Sequence, residues 1–145
     1  MEKSFLTKIL SIFSRTSYTI SPESFKEQLS DVTSDSLKSI SIRNPMSSFD
    51  SPATRIRYEA NQIKKITAVD KNTQRVMLDN SPALEVRITL DNGKRHIFYF
   101  DTLFIEQGFL IGEKSRLMHL RGKVPIAGIT KVEIQNGGKR YKYDR

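Results

Sequence analysis

Nine of the 32 residues from Lys114 to Arg145 are Lys or Arg and two are acidic, whereas the 113 residues before them hold 15 cations against 14 anions. Almost all of the formal net charge of +8 therefore lies in this segment. The cations Lys114, Arg116, Arg121, Lys123, Lys131, Lys139, Arg140 and Lys142 are interleaved with β-branched and aromatic residues. On adjacent antiparallel strands such residues share a face, and a cationic face meets carboxylates of a partner protein or phosphates of a nucleic acid. In "KRYKY" the tyrosines fall on one side of a strand and Arg140 and Lys142 on the other. Outward-facing Tyr141 or Tyr143 would stack on bases. Inward-facing tyrosines leave a plain cationic surface.

Other chemistry has little to stand on. His96 and His119 are the only histidines, and neither has a metal-binding spacing such as H-E-x-x-H. There is no Cys, which removes thiol nucleophiles, disulfides and thiolate metal sites. The acids are scattered beside turns or bases, without a pair that divides into acid and base roles. "GFLIGEKS" orders Gly108, Gly112, Lys114 and Ser115 as a phosphate loop does, but the glycines stand four steps apart and Glu113 separates Gly112 from Lys114. Ser115 has no G-x-S-x-G frame. The expectation is a protein without catalytic residues, cofactor, metal or small-molecule substrate.

The elements that must present the cations are strands. From residue 55 onward, short runs such as "QIKKITAV", "QRVML", "ALEVRITL", "RHIFYF", "FLIGE", "RLMHL", "ITKVEIQ" and "KRYKY" are separated by "DKNT", "DNSP", "DNG", "EQG", "RGK" and "NGG". That rhythm predicts an antiparallel meander folded as a small barrel or a two-layer sandwich. In "LEVRITL" the residues Leu84, Val86, Ile88 and Leu90 alternate with polar ones and should point inward. "RHIFYF" is large throughout and reads as a strand buried on both sides. Asn136-Gly137-Gly138 is a hairpin signal that would return "KRYKY" against "ITKVEIQ".

Ahead of the β domain, residues 1–54 read as an arm with one or two short helices and a Ser/Asp/Pro-rich linker, with an extended piece near "SISI". Ser21, Pro22 and Glu23 signal the start of a helix over 22–30 that places Phe25 and Leu29 on one face. Phe5, Leu6, Ile9, Leu10, Ile12 and Phe13 recur at helical spacing and form an interaction face for the chain's own core, a partner or an anionic membrane surface reached through residues 1–16. No run of apolar residues is long enough for a spanning helix. A mainly β binding or assembly module follows, working in the cytoplasm, with a basic C-terminal face for an acidic protein partner. The alternatives are nucleic-acid binding through that face and peripheral membrane attachment through the first helix.

Overall fold

The computed structural model describes residues 17–43, 55–116, 118–136 and 141–144. They form a mainly β fold of three antiparallel sheets and one α-helix, and the sheets do not close into a barrel. The strands are β1 (Ser17–Ile20), β2 (Lys38–Arg43), β3 (Arg55–Ala60), β4 (Lys65–Val69), β5 (Arg75–Asp79) and β6 (Leu84–Leu90). They continue with β7 (Arg95–Tyr99), β8 (Phe104–Glu106), β9 (Phe109–Ser115), β10 (Leu120–Pro125), β11 (Ile129–Asn136) and β12 (Lys142–Tyr143). The large sheet runs β5-β4-β1-β11-β6-β7, and two smaller ones run β10-β9-β8 and β12-β2-β3. Among the described residues no helix is long and apolar enough to cross a membrane.

Helix α1 (Pro22–Gln28) starts where its cap dictates: the Ser24 amide donates to Ser21 Oγ, and Pro22 opens the first turn. Phe25 and Leu29 are buried, and the Phe25 ring meets Phe100 edge-on at 6.4 Å. Gln28 extends the sheet with its side chain, accepting from the Thr67 amide and donating to the Thr67 carbonyl. Beneath the helix lie Ile20, Val86, Ile88, Phe98, Leu103, Leu110, Val132 and Ile134, all buried in one core. Burial contributes roughly 1.5–3 kcal/mol for each large apolar side chain.

β6 alternates as its sequence requires, with Leu84, Val86, Ile88 and Leu90 buried and the residues between them half-buried. Gly93 takes a φ of 83° in the turn to β7, a conformation that suits glycine. β7 is not buried on both sides: Ile97 is 45% exposed, while Phe98 and Tyr99 are buried. "RLMHL" is no strand at its start, since Arg116 and Met118 lie in the turn between β9 and β10.

Residues 17–43 are integral to the domain rather than an arm ahead of it. β1 sits between β4 and β11 in the large sheet, and β2 pairs with β3 along six residues, Lys38 to Arg43. The chain's final strand also departs from expectation. β12 pairs with β2 and not with β11, because β11 already holds β1 on one edge and β6 on the other. The amphipathic face of Phe5, Leu6, Ile9, Leu10, Ile12 and Phe13, like Lys139 and Arg140, lies outside the described residues.

Candidate functional site

β3 reads "RIRYEA", and its side chains alternate strictly: Arg55, Arg57 and Glu59 are exposed, while Ile56, Tyr58 and Ala60 are buried. Pairing with β2 sets Arg43 opposite Arg55 and Ser41 opposite Arg57, and pairing with β12 sets Lys142 opposite Arg43. Directly paired residues point to the same face of a sheet. The outer face of the β12-β2-β3 sheet therefore carries Arg43, Arg55, Arg57 and Lys142. Asp144 is set among them: its amide donates to the Ser41 carbonyl at 2.9 Å, and its carboxylate lies 3.4 Å from Arg43 and 3.1 Å from Arg55. Among the described residues no carboxylate is in ion-pair reach of Arg57 or Lys142.

The inner face of this sheet closes over a buried cation. The Arg116 guanidinium donates to Asp101 Oδ1 at 2.7 Å and twice to the Pro82 carbonyl, at 3.1 and 2.5 Å. It lies over the rings of Tyr58 at 4.3 Å, Tyr99 at 4.0 Å and Tyr141 at 5.8 Å. The second Asp101 oxygen accepts from the hydroxyls of Tyr58 and Tyr143. Burial opposes the charge on Arg116, but Asp101 and the tyrosines outweigh it and hold the guanidinium above its ordinary value. Burial, then the Asp101 carboxylate, pushes the Tyr58 hydroxyl far up, so that it stays protonated as a donor. The pair is a clasp: its tyrosines come from β3, β7 and the β12 segment, so it fixes the small sheet to the rest of the domain.

Beside the clasp lies a groove of about 1060 Å³. Ser39 and Ser41 of β2 form one wall, the links from β3 to β4 and from β5 to β6 form the other, and Tyr143 stands at its end. Asn80 donates from Nδ2 to Asn61 Oδ1 and to the Ile63 carbonyl, while its buried Oδ1 has no partner among the described residues. Lys64 is exposed at the groove, and Lys65 is paired with Asp79.

No protein-family model, no curated protein and no solved structure matches this chain. The cations singled out from the sequence are spread over three sheets. Lys114, Arg121 and Lys123 are exposed on the β10-β9-β8 sheet, where the register puts Lys114 on the face opposite Arg121 and Lys123. Each lies over a ring: Lys114 over Phe98 at 5.7 Å, Arg121 over Phe104 at 5.6 Å and Lys123 over Phe109 at 4.2 Å. Lys131 is on β11, 3.7 Å from Glu133. Arg116 is not part of any cationic surface, being 1% exposed and spent on Asp101. Lys142 is the one of these that meets a further cluster of cations, and that cluster comes from β2 and β3.

His119 lies 3.5 Å from Glu113, whose carboxyl burial pushes up against the opposing pull of His119, Arg116 and Arg121. His96 is half-buried on β7, with Nδ1 3.1 Å from the Lys114 ammonium. Among the described residues no three His, Asp or Glu side chains gather to hold a metal ion.

Arg43, Arg55 and Arg57 lie outside the basic C-terminal segment; the alternate cations of "RIRY" carry the signal for Arg55 and Arg57, and Arg43 has no comparable signal in the sequence around it. The Ser/Pro-rich stretch ahead of "RIRY" hides that signal, because it reads as a linker.

Proposed function

We propose that this chain is a non-catalytic binding module that meets an acidic protein partner through the outer face of its β12-β2-β3 sheet. The observation that carries this reading is the convergence of Arg43, Arg55, Arg57 and Lys142 on one face, with two of the four left without a carboxylate among the described residues. The face is mixed rather than uniformly cationic, since Asp144 and Glu59 share it. Such a pattern matches the mixed charges of a protein surface better than a row of phosphates. That Tyr141 is buried and Tyr143 is half-buried with its hydroxyl on Asp101 supports the acidic-protein reading over base stacking. Under this reading the module works in the cytoplasm, and attachment to a membrane through residues 1–16 is a separate matter.

Fluorescence anisotropy with labelled polyglutamate and with an oligonucleotide of matched length tests the reading. Polyglutamate should bind at low salt and lose affinity as salt rises. The exposed-residue variant Arg57→Glu/Lys142→Glu, which leaves the Arg43 and Arg55 contacts to Asp144 in place, should weaken that binding by about tenfold. Binding of the oligonucleotide without polyglutamate would turn the reading to nucleic acid, and an unchanged affinity in the double variant would remove this face from it.

A further inference from the structure

The β9-β10 hairpin ends in an apolar tip. Met118 is 77% exposed and Leu120 is 54% exposed. Apolar residues scattered singly over a surface need no explanation, but these two stand two positions apart on one turn. The turn holds them in place: the Met118 amide donates to Ser115 Oγ at 3.3 Å, and Leu120 pairs with Ser115 across the hairpin. Behind the tip the charge has one sign. The sole acid between Phe109 and Pro125 is Glu113, which is buried, whereas Lys114, His119, Arg121 and Lys123 are exposed. Arg121 and Lys123 lie on one face of the hairpin and Lys114 on the other, so cations flank the tip on both sides.

We propose that this tip enters the interface of an anionic membrane, with Met118 and Leu120 at the acyl boundary and Lys114, Arg121 and Lys123 among the anionic headgroups. An inserted wedge is surrounded by headgroups on every side, which is what cations on both faces of the hairpin complement. The depths agree. At about 3.3 Å per residue, Arg121 and Lys123 stand roughly 3 and 10 Å behind Leu120. An interfacial apolar face sinks by about 5–10 Å, so the cations stay at headgroup level. Their stems lie on apolar surface while the charges remain solvated, Lys123 over Phe109 at 4.2 Å and Arg121 over Phe104 at 5.6 Å. A protein partner fits less well, because a protein interface has a broad apolar centre and a rim of mixed charge. This surface is separate from the one assigned above to an acidic protein.

The probes are vesicles of phosphatidylcholine alone and of phosphatidylcholine with about one third phosphatidylserine. The unaltered chain should co-sediment with the anionic vesicles and not with the neutral ones. Met118→Gln/Leu120→Gln removes the apolar tip and should weaken that binding at least about tenfold. Lys114→Gln/Lys123→Gln should weaken it about fivefold for each cation lost. The sequence contains no Trp, so Met118→Trp places a single reporter at the tip. Its emission should shift to the blue on anionic vesicles and be quenched by brominated acyl chains, a response that adsorption through charge alone does not give. This readout also stands if the glutamine tip variant fails to fold by circular dichroism. Folded, that variant should keep its affinity for polyglutamate, since it has lost no charge. Binding to neither vesicle, equal binding to both, undiminished binding of the folded glutamine tip variant, or an unshifted Met118→Trp emission on sedimented vesicles overturns insertion. Loss of both vesicles and polyglutamate by the folded tip variant overturns the separation of the two surfaces.

Discussion

Replacing Arg116 by methionine keeps a long stem and deletes the charge, which isolates what the clasp contributes. The side chain is 1% exposed and its partner Asp101 is 0% exposed, so neither charge has water to fall back on. Removing one member of such a pair costs about 3–5 kcal/mol, because the remaining charge stays buried without its counterion. Within that figure, about 2 kcal/mol comes from the desolvated cation over Tyr58 and Tyr99. Against a total stability of roughly 5–15 kcal/mol for a domain of this size, the loss is a large fraction. Asp101→Asn should cost a comparable amount by orphaning the guanidinium. The double variant Arg116→Met/Asp101→Asn should then fall short of the sum by about 2 kcal/mol, since neither charge remains. Urea unfolding followed by circular dichroism, with the slope constant across variants, gives the four free energies. A single-variant loss below about 1 kcal/mol, the size of an exposed pair, would refute the clasp as a structural tie. So would strict additivity of the two changes.

Two further outcomes follow from the β7-β9-β10 packing. His96 is held below its ordinary value of 6.5 first by partial burial and then by Lys114 and Lys94, so its NMR titration midpoint should lie below that value and rise in Lys114→Met. A depressed histidine means the folded state binds fewer protons than the unfolded one, so this residue's effect on stability turns unfavourable as pH falls through about 6.5. At Gly112 an added Cβ would stand 2.8 Å from Leu103 Cδ2 and 3.1 Å from Phe98 Cδ1, both in the core. Gly112→Ala should therefore cost roughly 1–3 kcal/mol in urea unfolding; a stabilised variant would show that the ring and leucine move aside freely.

Local signals were legible where the sequence repeats a simple rule over several residues. The alternation of Leu84 to Leu90, the Asp91-Asn92-Gly93 turn and the Ser21-Pro22 cap each read directly into β6, its hairpin and α1. What escaped depends on partners far along the chain. "SYTI" is four residues without a distinctive pattern, and it becomes β1 only because β11 and β4 offer edges to it. "SISIR" and "RIRY" look like fringe pieces of a linker until paired with each other. Arg116 resembles its basic neighbours in sequence, and nothing nearby announces that Asp101 and three tyrosines will enclose it. The same contacts decide the orientation of Tyr141 and Tyr143, which the alternation of "KRYKY" could only pose as a question.

The place of β1 also bears on the order in which the molecule can be assembled. Ser17 pairs with Gln135 and Ile20 with Val132, so the middle of the large sheet is a seam between the earliest and the latest of its strands. Until β11 arrives, β1 and β6 each have an edge waiting for it, and the two halves of the sheet have nothing to join them. Pairings this distant in sequence form slowly because a long loop must close before any contact repays it. A nascent chain therefore passes through a stage in which unpaired edges are on display, when it is most open to pairing with the wrong strand or with another copy of itself.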